Sequence, residues 1–130
     1  MKPFEVSVDI RRRQITMELR GFWDVATFEA FNAEFVRGLH LLRHHGGCER
    51  CLVDGTHYAV QSKEILARFG ATMQENAPYL AKRTASVVPA ELNRLQAARV
   101  TETIHNRHFA SRKEAEEWLS SDEGASGRAA

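Results

Sequence analysis

Cys48 and Cys51 stand three positions apart, the spacing of half a zinc claw, and His40 and His44 precede them one helical turn apart. Thiolates and imidazoles bind zinc when four of them converge on one point. Gly46-Gly47 interrupts the helix face that would carry the two pairs together, and no second cysteine pair follows. The histidines therefore read as groups serving a helix C-terminus, where positive charge is favoured, and the cysteines as small apolar side chains. No metal and no cofactor is expected. A thioredoxin-type role fails on polarity: it needs the first thiol at a helix N-terminus, whereas this pair leaves a helix and enters a strand.

The second concentration of chemistry is Asp54, Thr56, His57, Tyr58 and Ser62. Cys51 to Asp54 is short and apolar and reads as a buried strand. Asp54 and Thr56 then fall at its C-terminal end, where α/β sheets place their ligand sites. His57 and Tyr58 add polar and aromatic reach, and the loop from 54 to 62 is read as the binding or regulatory surface. Ser62 is either the cap of the next helix or a phosphoacceptor. Trp23, Phe28, Phe31 and Phe35 could line an apolar pocket, form a dimer contact or simply fill the core. His105 and His108, three apart on a strand, would face opposite ways. No nucleophile elbow and no glycine-rich phosphate loop occurs, so no catalytic residue is assigned and no enzyme is expected.

The elements that must position these residues follow from periodicity. Phe4, Val6, Val8 and Ile10 alternate with polar residues, and Ile15, Met17 and Leu19 resume that period beyond Arg11-Arg12-Arg13. This is a hairpin with a solvated basic turn. Asp24 is a good N-cap, with Trp23 and Phe28 placed as a hydrophobic staple. Phe28, Phe31, Phe35, Leu39 and Leu42 form one helical stripe that Gly46-Gly47 stops. A second helix starts near Ser62 and carries Ile65, Leu66, Phe69 and Met73. Thr84 to Val88 is a β-branched strand, Leu92, Leu95 and Val100 mark a weaker helix, and Ile104 to Phe109 an edge strand. Ser111 to Glu114 is a capping box before Ala115, Trp118 and Leu119. The order is β-β-α-β-α-β-α-β-α: a mixed sheet, parallel through its crossovers, with helices packed on it. Residues 1–120 form one α/β domain, and 121–130 a flexible tail.

Bulk composition narrows the class. The chain has 130 residues, 18 basic and 17 acidic, with a net charge of +1. That balance argues against a dedicated nucleic-acid binder. No apolar run is long enough to span a membrane and no leader pattern is seen. A cytoplasmic address is expected.

With this order in view, the chain resembles the STAS superfamily, and most closely its SpoIIAA-like branch of anti-sigma-factor-antagonist-like proteins. Gly21-Phe22-Trp23-Asp24 is similar to the family's glycine-x-x-aspartate entry to its first helix. Leu52-Val53-Asp54 is similar to its central strand, and Ser111 to Leu119, after Phe109, to the closing strand and short tryptophan-bearing helix. The resemblance covers roughly residues 4–120. It implies a non-catalytic regulatory or interaction module of bacterial type, working through a protein partner or a homodimer. Ser62 falls where antagonist members carry their phosphorylated serine. Gln61 stands where their pattern has aspartate, and Lys63-Glu64 where it has small residues. The alternative is a carrier or sensor of a small apolar, lipid-like ligand held against the aromatic first helix.

Overall fold

The computed structural model describes residues 2–88 and 106–121. β1 (Phe4–Asp9) and β2 (Gln14–Gly21) form the expected antiparallel hairpin. α1 (Val25–Arg43), β3 (Arg50–Tyr58), α2 (Lys63–Glu75), a 3₁₀ turn (Ala77–Tyr79) and β4 (Arg83–Val87) follow. β5 (Asn106–Phe109) and α3 (Arg112–Ser120) close the described chain. The expected weak helix at Leu92, Leu95 and Val100, His105 and the tail beyond Ser121 lie outside the described residues.

The five strands lie in sequence order, β1-β2-β3-β4-β5. β1 is antiparallel to β2, and the other three pairings are parallel. The protein is thus an α/β domain on a mixed sheet. Two crossovers that step the same way across a sheet with the same hand put their helices on one face. α1 and α2 do share a face: Phe28, Phe31, Phe35, Leu39, Leu42 and Ile65 join Ile15, Met17, Leu19 and Cys51 in one core. Gly38 lets α1 settle close, since a Cβ there would stand 3.1 Å from Val8 Cγ2. α3 covers the other face, where Ala115 and Leu119 pack on Leu52, Ala85 and Val87. Adjacent residues of β3 therefore enter different cores, which is why the run Cys51-Leu52-Val53 is apolar without alternation.

Caps fall where the sequence places them. Asp24 accepts from the Thr27 amide at 2.8 Å, Ser62 from Ile65 at 3.2 Å and Ser111 from Glu114 at 3.3 Å. The Thr27 amide holds the Asp24 carboxyl below the usual carboxylate range. A folded-state value below the unfolded one contributes stability above the unfolded pKa and loses it as pH falls through the folded pKa. Asp24→Ala should therefore melt earlier than the parent at neutral pH, the two midpoints converging in acid. Parallel midpoints across that range would remove the assignment.

Candidate functional site

The strand that carries Asp54 runs further than its apolar residues suggest. β3 continues to Tyr58, so Asp54 is its fifth residue and not its end, as its spacing with the Cys51 run implied. The cause is a bulge. Glu18 pairs with Asp54 and Arg20 with His57, so β3 holds one more residue than β2 between those rungs. Asp54 itself shapes it: Oδ1 accepts from the Thr56 amide at 3.0 Å and from its hydroxyl at 2.6 Å. Side-chain to backbone bonds of this kind draw two residues out of the ladder.

An inserted residue inverts the alternation of everything after it. His57 consequently stays exposed, while Tyr58 turns into the first core, its ring 5.1 Å from that of Trp23. Burial there pushes its hydroxyl up from its ordinary value. The five residues read as one surface are thereby divided. Thr56 and His57 are exposed, Ser62 is half-buried as a helix cap, and Tyr58 belongs to the interior.

Asp54 is drawn inward by α3. Arg112 Nη1 lies 3.3 Å from Asp54 Oδ2 and 2.8 Å from Glu18 Oε1, while its Nε donates to Glu116 at 2.8 Å. The Asp54 side chain retains 15% exposure. Burial raises its carboxyl, but the Thr56 and Arg112 hydrogen bonds and the Arg112 charge outweigh it and hold it low. The Glu116 bond, reinforced by Glu18 and Asp54 against partial burial, raises the guanidinium further. Arg20 extends the network by pairing with Glu18. Arg112 first shows in the sequence only as the residue after a cap; that it clasps two strands depends on which face α3 takes.

The element that organises the strand-end rim is Gln61, 5% exposed. Its Oε1 accepts from the Trp23 amide at 2.9 Å, and its Nε2 donates to the carbonyls of Gly21 and Ala59, each at 2.8 Å. The Ala59 amide donates to Gly21 O at 3.2 Å. Gly21 adopts φ +75°, a left-handed conformation that suits glycine, and this turns the chain out of β2. One buried amide thus joins the β2–α1 and β3–α2 junctions. Phe22 and Val60, carried on these tied loops, are 68% and 37% exposed. Their spacing gave no such signal: Trp23 takes the interior position beside the cap, and Phe22 next to it is turned out by the left-handed glycine.

The aromatic helix face packs on itself. Phe31 lies 5.2 Å from Trp23, 5.8 Å from Phe4 and 5.9 Å from Phe35, centroid to centroid, and Phe69 of α2 lies 5.0 Å from Phe28. The Trp23 indole N–H donates to Arg20 O at 2.8 Å, so its polar handle is satisfied.

Among the described residues no three of His, Cys, Asp and Glu converge as a metal site would require. His40 turns toward Tyr79, ring centroids 6.4 Å apart, and Cys48 and Cys51 are buried free thiols. Burial pushes Cys48 up to about 11 and raises Cys51 further. Thiolates are the reactive form. The native protein should therefore resist iodoacetamide near neutral pH and take up two labels once unfolded. Rapid labelling of the folded chain would show that the strand opens around the pair.

No protein-family model matches this chain, and no curated protein matches it significantly.

Proposed function

We propose that the domain is a non-catalytic regulatory or interaction module of STAS type, SpoIIAA-like and cytoplasmic. It engages a protein partner at the strand-end rim formed by residues 21–24 and 54–62. The observation that carries this reading is Phe22. A phenylalanine 68% exposed on a buried hydrogen-bonded strut is preorganised apolar surface, and aromatic anchors on rigid supports dominate protein interfaces. Val60, Thr56 and His57 extend the same rim. Ser62, with Lys63 after it, stands at the mouth of α2, where a phosphate would meet free amide hydrogens and the positive end of the helix dipole. Two buried free thiols accord with a reducing compartment. The order of strands and helices supports the STAS assignment, including an antiparallel hairpin leading a parallel sheet.

A photo-crosslinking residue at position 22, compared with one at exposed Lys113, tests the surface in cells of the source organism. The expected result is one discrete adduct from position 22 that Val60→Asp abolishes while the melting midpoint stays within a few degrees. Identical adduct patterns from both positions would sink the rim as a docking site. Native mass spectrometry of the purified chain tests the carrier alternative, which requires a lipid mass to co-purify.

A further inference from the structure

The end of the sheet opposite the rim has its own character. The register row Gln14–Arg50–Arg83 marks the shared start of β2, β3 and β4. Around it stand the hairpin turn, the C-terminus of α1 and the approach to β4. These expose Arg11, Arg12, Arg43 and Lys82. Among the described residues, Glu49 lies 3.4 Å from Arg13 and 3.5 Å from Lys82, Asp9 accepts from the Arg12 amide at 3.1 Å, and Arg12 Nη2 donates to Ser120 Oγ at 3.0 Å. In a chain of net charge +1, this is a segregated positive pole.

Aliphatic side chains stand among the cations. Ile10 is 43% exposed and Leu41 is 41% exposed. Leu41 lines the groove where α1 meets β1, beyond Gly38, whose site abuts Val8, and Ile10 stands in the turn that follows β1. Ile10 is held out on a tight turn, since the Arg13 amide donates to Ile10 O at 3.2 Å with Arg13 at φ 51°.

We propose that this pole docks on an anionic lipid surface. Arginine and lysine supply attraction to phosphate headgroups, while Ile10 and Leu41 enter the headgroup–acyl boundary. Charge complementarity is the argument for an anionic occupant, and the aliphatic character of the apolar groups is the argument for lipid. Single-stranded nucleic acid sites instead present exposed aromatic platforms; among the described residues at this end, Tyr79 lies beneath Arg43 at 4.6 Å and half-buried Trp118 beneath Arg83 at 6.0 Å. The pole and the Phe22 rim sit at opposite ends of β3, roughly 26 Å apart at about 3.3 Å per residue. A docked molecule would hold its rim away from the membrane and open to a partner. The two surfaces stand or fall separately.

The test is co-sedimentation of the full chain with phosphatidylcholine vesicles, with and without phosphatidylglycerol, at low and high salt. Binding is expected only to the anionic vesicles and is expected to weaken with salt. Replacing Arg11 and Arg12 by glutamine should weaken it about 25-fold, roughly fivefold for each cation lost. Ile10→Ser with Leu41→Ser should weaken it while leaving the salt dependence in place. Phe22→Asp, at the other end, should leave it unchanged. Parallel melting curves keep misfolding out of the comparison. Equal binding to neutral vesicles, no binding at low salt, or unchanged binding by the Arg11/Arg12 variant would overturn the proposal. So would tighter retention of the chain on single-stranded RNA than on anionic vesicles, abolished by that same variant.

Discussion

Phe31→Ala is expected to remove about 3–5 kcal/mol of stability, the loss of a buried aromatic plus the cavity it leaves. Phe31 is fully buried and meets the rings of Phe4, Trp23, Phe28, Phe35 and Phe69. A loss of that size approaches the whole stability of many domains, so urea unfolding at constant slope should show a much lower midpoint or no folded baseline. If the variant folds, the new cavity should admit benzene or xenon, as dry apolar cavities do. The companion Phe22→Ala should change the midpoint little, because its ring is already in water. This pair also weighs the carrier reading. A pocket wall facing an empty or exchangeable space would lose well under 2 kcal/mol at Phe31, against the larger core value.

Gln61→Leu should cost about 3 kcal/mol, because it strands the buried Trp23 amide and the Ala59 carbonyl without partners. Gly21 O keeps its bond from the Ala59 amide, so the loss stops short of unfolding. Gln61→Glu is the more telling variant. Its carboxylate can still accept from Trp23 but cannot donate to either carbonyl, and burial opposes its charge. Its folded pKa must then lie above the unfolded value of about 4.3. A raised folded pKa means that the stability is present below the unfolded value and lost as pH rises through the folded one. The variant should approach the parent in acid and fall behind it toward neutrality. A midpoint difference independent of pH would mean that position 61 is hydrated, and the tie between the two junctions would have to be abandoned.

Two carbonyls converge on position 61, where Gln61 donates to both and accepts from the Trp23 amide. Its polarity and position before a serine cap are legible, and Ala59 is a near neighbour, but its partners Trp23 and Gly21 lie 38 and 40 residues away in sequence. No local pattern specifies those two.

Periodicity and capping chemistry largely determined the elements. The alternation of Phe4, Val6 and Val8, the stripe from Phe28 to Leu42, and the caps at Asp24, Ser62 and Ser111 all act over a few residues, and the described structure carries them where expected. The sequence of elements also implied the parallel pairings, because a helix between two strands leaves few ways to return.

Tertiary structure decided what local chemistry leaves open. Among the described residues no strand follows α3, so no crossover between two described strands selects its face. Packing on Leu52, Ala85 and Val87 does. That choice brings Arg112 to Glu18 and Asp54 and withdraws Asp54 from the surface expected of it. Likewise, one extra residue in β3 sends Tyr58 inward and leaves His57 out. A side chain's face depends on a register counted between two strands, and a single strand does not contain that count. For the same reason the positive pole is invisible in a chain whose charges nearly cancel. It forms when the hairpin turn, the end of α1 and the start of β4 fold to the same end of the sheet.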